Sequence, residues 1–228
     1  MKTTFLIRRS GQILKNKALS LFNRIALPRM KSCLGFSDQK FLKKFNIPAV
    51  KLDLQRNNIT AARNGLFEHF RRKDASAWPA FPSRMSDAND LSKSDLIKSA
   101  DSLLSLRFPV TDRPEIHFPS TIDWTFNPSS DPRARWTRDL NRHIWWSVIA
   151  VAYQKTGDER YAHGLINIMD DWCRKNPPPS VKNEGDPVWT LMGVGMRSVI
   201  WASTFGILLS SPSFSAESAL QMLKSIYD

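Results

Sequence analysis

Two apolar patterns of helical period, joined only by Thr156-Gly157-Asp158, constrain this chain more than any other stretch. On one side Leu140, Ile144, Val148 and Val151 form an apolar line, predicting a helix from about Arg135 to Lys155. On the other, Tyr161, Leu165, Ile168 and Trp172 predict a helix over 159–175, which Asn176 and Pro177–Pro179 end. Gly157 supplies the left-handed residue that closes the first helix, and Asp158 can cap the second. So short a link makes the two helices antiparallel neighbours. The unit of this fold is therefore a helical hairpin.

Further helical patterns flank that hairpin. Residues 61–73 predict a short helix with Leu66, Phe67 and Phe70 on one side, and 74–90, with Pro79 and Pro82, a linker. Leu91–Leu106 is expected to be helical through Leu96, Ile97, Ala100, Leu103 and Leu104. FPVTDRPEIHFPSTID carries three prolines, which predicts an extended connection or short strands. From Pro187 to Leu209 a long pattern is expected to turn Met192, Met196, Val199, Phe205 and Leu209 inward. After Pro212, Ser215 caps a last helix, Ala216–Tyr227. Hairpin upon hairpin with almost no strand pattern predicts an all-α array. Such an array needs further hairpins to close, since an open end leaves an apolar helix face in water. The chain stops at Asp228 within a helical pattern, so a missing C-terminal region or a companion chain is expected.

Charge is unevenly distributed. Residues 1–100 hold 20 Lys/Arg against 7 Asp/Glu, whereas 101–228 hold 13 against 14. The basic part favours polyanions in general, but no nucleic-acid recognition pattern accompanies it, and no nucleic-acid partner is expected. Residues 1–60 are expected to form a basic, partly disordered extension, with LSLFNRIAL as a candidate amphipathic helix interrupted by Pro28 and Pro48. Cys33 and Cys173 have neither metal-ligand nor disulfide-framework spacing. No metal, phosphate-loop or nucleophile–base pattern is visible, so no metal and no cofactor is expected. No run approaches the roughly 18 apolar residues of a membrane span, so no transmembrane segment is expected. Lysines and arginines break every apolar window of the first 27 residues, so no clear export signal is read.

Seven of the eight tryptophans lie between Ile122 and Trp201. The succession ADSLLSLRF, IDWTFNP, LNRHIWW, AYQKTGDERYA, DDWCRKNPPP and VWTLMGVGMR, over roughly 95–228, resembles the N-terminal domain of heparinase II/III-like polysaccharide lyases. The resemblance implies an incomplete α/α toroid over residues 91–228, truncated at its C-terminus, after a short helix and Pro-containing linker over 61–90. It implies a bacterial carbon–oxygen lyase that cleaves an acidic, uronic-acid-containing polysaccharide of the heparin or heparan-sulfate type by β-elimination. Such proteins are typically periplasmic or secreted. The family's catalytic Asn, Tyr and His are expected beyond residue 228, so no catalytic residue is assigned and the 228-residue chain is expected to be inactive. The alternative is a non-catalytic acidic-polysaccharide-binding or interaction module from a truncated or split gene. Many family members carry Glu where Gly193 stands here; glycine there either permits close packing or marks a decayed copy.

Six residues are the candidate substrate contacts: Asn141, Arg142, His143, Asn183, Trp189 and Arg197. The family keeps an Asn-Arg-His-like cluster at 141–143. It reads either as a cleft edge meeting carboxylate or sulfate, or as an ion pair of Arg142 with Asp139 and a cap. Trp189 and Arg197 would project about 80° apart on one helix. They suit a stacked sugar and its carboxylate; alternatively Trp201, one turn on, takes Arg197 in a cation–π contact. Asn183 precedes them in a loop. Trp124 is expected to be a buried plug, Asp170 and Asp171 to be surface charge, and His117 and His163 to be structural or solvated.

Overall fold

A computed structural model describes residues 37–73, 75–83, 86–110, 113–129, 133–179 and 186–227. The start of the basic extension and Asn183 therefore lie outside the described residues. Along the chain run α1 (Asp38–Leu42), α2 (Pro48–Gln55), α3 (Ile59–Arg71), a single 3-10 turn (Ala75–Ala77) and α4 (Lys93–Leu104). A hairpin of β1 (Arg107–Val110) and β2 (Arg113–His117) follows. Then come α5 (Arg135–Leu140), α6 (Trp146–Thr156), α7 (Glu159–Lys175), α8 (Leu191–Leu208) and α9 (Ala216–Tyr227).

Local chemistry sets many of these bounds. Ser37, Asn58, Ser92, Asp158 and Thr190 each cap a helix by accepting a backbone N–H two or three residues on. Pro48 opens α2 from its first turn, where a missing N–H costs nothing, so the proline starts a helix that the sequence reading interrupts. Gly157 adopts φ 69° and donates to the Tyr153 carbonyl at 2.8 Å, the expected stop between α6 and α7. The proline-rich connection forms the antiparallel hairpin, with Phe108 opposite Ile116.

Two expectations are corrected. The helix expected over 135–155 is two helices, α5 and α6, separated by Asn141–Trp145. His143 sits there at φ 58°, a left-handed conformation that histidine tolerates better than most residues, and this turns its imidazole into the core. The inward face of α8 also differs in its first half, whereas Phe205 and Leu209 are buried as expected. Met192 is 58% exposed, while Gly193, Arg197, Ile200, Trp201, Thr204, Phe205 and Leu208 are buried. That helix is apolar nearly all round, so periodicity alone could not choose its face. For the same reason α8 has the length and composition of a membrane span, although Arg197 interrupts its apolar run. Here it packs against α6 and α9.

The main core is built by α4, α6, α7 and α8 around Trp146, Tyr161, Leu165, Trp172, Trp201 and Phe205. A second cluster joins Phe41, Leu42, Val50, Leu54, Ala62 and Leu66 to Leu220 of α9. The last described helix is thus covered by α1 and α3, and does not present the open apolar face expected of it. Asp38 ties this contact with Lys224 at 2.6 Å and Arg63 at 2.7 Å.

Candidate functional site

Alternating helix directions gather three connections at one end of the array: the break at Asn141–Trp145, the tail after α7, and the entry to α8. Asn141 is the node between them. Its side-chain N–H groups donate to the carbonyls of Trp124 and Thr137, both at 2.8 Å, and its oxygen accepts from Trp172 Nε1 at 2.9 Å. Asn141 is 1% exposed, so every polar atom of its amide is used inside the fold.

His143 lies beside it with no exposed surface. Its ring is parallel to Trp146 at 4.2 Å between centroids, and its Nδ1 accepts from Trp201 Nε1 at 2.8 Å. The proton of the neutral ring therefore sits on Nε2, which is buried without a partner. Burial, helped by the nearby Arg197 charge, holds the imidazole well below its ordinary pKa.

Arg197 reaches the same node from α8. Its Nη1 donates to the carbonyls of Asn141 and Val188, each at 2.7 Å. Its guanidinium lies 4.8 Å from the Trp172 ring and 4.9 Å from that of Trp189. The cation–π partners are therefore these two, while Trp201 serves His143. Burial pushes the Arg197 pKa down to about 10, so it stays charged at neutral pH. Trp189 precedes α8 and is not on its surface; Asp186 accepts the N–H of Val188 at 2.8 Å and so sets the turn that lays Trp189 over Arg197. Arg142 is half-buried, paired with Asp139, and 3.5 Å from Met192 Sδ.

Asn141, Arg142, His143, Trp189 and Arg197 are thus brought together, with Asn141 and His143 turned entirely inward. Sequence reasoning missed Trp172 as the shared arm of this cluster. It also misplaced Asp171, which accepts from Trp124 Nε1 at 2.9 Å and pairs with Arg174 and Lys175. That bond fixes Trp124, 2% exposed, as the expected plug. The partner lies 47 residues away, so only the periodic return of the hairpins could have revealed it. Among the described residues no group of three or more His, Cys, Asp or Glu could hold a metal.

Beside this node lies a groove of about 1140 Å³ between α4, the β-hairpin and α5. Phe108, Trp136 and Trp145 line it with four carboxylates (Asp87, Asp95, Glu115, Asp139) and two cations (Lys98, Arg135).

Helical hairpins packed side by side, with tryptophans and arginines gathered where the connections meet, define an α/α array of the toroid class. The heparinase II/III N-terminus family matches residues 42–228, and the chain belongs to that family. A heparin-sulfate lyase of Pedobacter heparinus is 28% identical over 173 residues, covering 75% of this chain and 26% of that protein. One from Bacteroides stercoris is 31% identical over 127 residues, 49% of this chain and 19% of its own length. The crystal structure of a heparan sulfate lyase mutant from Pedobacter heparinus superimposes with a TM-score of 0.67 at 26% identity, over 79% of this chain and 29% of that one. The chain spans about a quarter of the length of these relatives.

Proposed function

We propose that this chain is the N-terminal toroid domain of a lyase that cleaves a uronic-acid-containing polysaccharide of the heparan-sulfate type. The observation that carries the proposal is the family match over 42–228, joined to a fold shared with a heparan sulfate lyase. In β-elimination a base removes the C5 proton of the uronate, the C4–C5 double bond forms, and the glycosidic oxygen leaves C4 with a proton. Neutralisation of the carboxylate makes that proton acidic enough to remove.

Within the described residues we assign binding and no base. His143 is enclosed, Tyr161 donates to Asp101 at 2.9 Å, and Tyr153 lies near Ser210 at the other end of the helices. The polyanion is assigned to the helix-end face of Arg142, Trp189 and Arg197, where two cations and an indole meet. Asn141 and His143 hold that face in place from beneath.

The test is incubation of the chain with heparan sulfate, following the ultraviolet absorbance of unsaturated uronate, beside electrophoresis through a gel containing the polysaccharide. Retardation without product is expected. Product would place a base in this chain, and unaltered mobility would remove the substrate assignment. The alternative, a self-standing binding module, is favoured by the enclosure of His143. The mass of the native product separates the two: above 26.1 kDa it supports a lyase with a further region, and at 26.1 kDa the binding module.

A further inference from the structure

Arg197 is a buried cation with only part of its guanidinium engaged. It is 5% exposed; Nη1 holds two carbonyls, while Nη2 is buried and has no hydrogen-bond partner. No carboxylate lies within ion-pair distance among the described residues, and Asp186 acts on it only through space. Buried charges are ordinarily paired, because the interior replaces little of the lost hydration. Its own helix supplies no counter-charge: Val194 and Ile200 stand three residues away, Gly193 and Trp201 four. A Cβ on Gly193 would lie 3.5 Å from Nη1 and 2.8 Å from the Thr190 hydroxyl, which fills that side of the cation.

On another side Arg197 itself lines a cavity of about 20 Å³, together with Trp172, Trp189, Ser198, Trp201 and Ser225. The volume suits one oxygen-sized group. Two indole rings flank the guanidinium, so an anion that reaches Nη2 meets a weakly screened charge.

We propose that Arg197 is one half of an ion pair whose other half arrives with the ligand, a uronate carboxylate. One carboxylate oxygen enters beside Nη2 while the sugar ring stays outside against the half-buried Trp189. This rests on the acidic-polysaccharide assignment above, and adds to it the group recognised and the atom that recognises it.

The full chain is titrated with D-glucuronate, its methyl ester and glucose at constant ionic strength, reading tryptophan fluorescence and Tm. Glucuronate is expected to give a saturable fluorescence change and a raised Tm; the ester and glucose give neither. Arg197→Lys, which keeps the charge but loses the fork, weakens glucuronate by about tenfold. Gly193→Glu places a carboxylate one turn from the guanidinium once the Thr190 hydroxyl, 2.8 Å from the new Cβ, turns aside. That variant is expected to lose the glucuronate response. Equal responses to ester and acid, no response to glucuronate, or an unaltered response in Gly193→Glu overturns the proposal. If wild type and Gly193→Glu are retarded alike in the heparan sulfate gel, the polysaccharide assignment survives without Arg197. If wild type is not retarded, that assignment fails by itself.

Discussion

At the scale of single residues, the aromatic end of the molecule depends on two polar side chains that water does not reach. Asn141 donates twice and accepts once inside the fold. Asn141→Ala leaves Trp172 Nε1 and the Trp124 carbonyl without partners, while the Thr137 carbonyl keeps the backbone N–H of residue 141; the cost is about 1–3 kcal/mol for each buried group left unsatisfied. Asn141→Asp is expected to be worse, since it still accepts from Trp172 but turns a carboxylate toward two carbonyls. Urea unfolding should rank wild type above Ala above Asp; an Asp variant as stable as wild type would mean the node is wet. His143 makes a different prediction. Its folded pKa is depressed below the ordinary 6.5, so its contribution to stability is complete above that value and is lost as pH falls. Below pH 6.5 the unfolded chain takes up a proton that the folded chain refuses, and stability drops toward about 1.4 kcal/mol per pH unit. His143→Gln, which can still accept from Trp201, should flatten that slope between pH 6.5 and 5.

At the scale of elements, helix packing is tested by two glycines on α8. A Cβ on Gly195 meets nothing within 4 Å, so Gly195→Ala is expected to stabilise by up to about 1 kcal/mol through helix propensity. A Cβ on Gly206 would lie 2.5 Å from Trp78 Cβ, an atom fixed to the backbone, so Gly206→Ala should cost about 1–3 kcal/mol. Thermal unfolding of the two variants should therefore move in opposite directions. The same helix shows what a sequence can and cannot specify. The bounds of α7 and α9 were legible to the residue, because amphipathic stripes there end at Asp158, Asn176 and Ser215. The hairpin of α6 and α7 was legible from Gly157. The face of α8 was not, because a helix apolar all round satisfies two faces equally well. Nor was the break before α6. Nothing in Asn141–Trp145 forbids helix; Asn141 and His143 leave it for partners 31 and 58 residues further along the chain. The five described site candidates were legible as residue types, whereas Trp172, which bonds Asn141, and Asp171, which fixes Trp124, are set by tertiary return of the chain.

At the scale of the whole molecule, two sequence-distant parts of the described chain pack together. Phe41 and Leu42 of α1 are buried with Leu66 of α3 and Leu220 of α9, and Asp38 bridges Lys224 and Arg63 above them. Burial alone would raise the Asp38 carboxyl, but the Lys224 and Arg63 cations outweigh it and hold the group below its ordinary value. The bridge therefore contributes above the usual aspartate range and is lost as pH falls through the lowered pKa, well below the window in which His143 acts. If the contact makes α1, α3 and α9 one cooperative unit, loosening α1 must loosen a helix some 180 residues away. Phe41→Ala removes a side chain 1% exposed, and about 3–5 kcal/mol is expected to go with it. Native-state hydrogen exchange in that variant should then quicken in Ala216–Tyr227 as well as in Ile59–Arg71, while Glu159–Lys175, packed in the other cluster, keeps its protection. Acceleration confined to residues 38–71 would instead make the N-terminal helices a separate unit resting on the array. The first outcome means that α9 reaches its neighbours with its N-terminal cover already in place. Any further helix pair would then have to pack beside that cover.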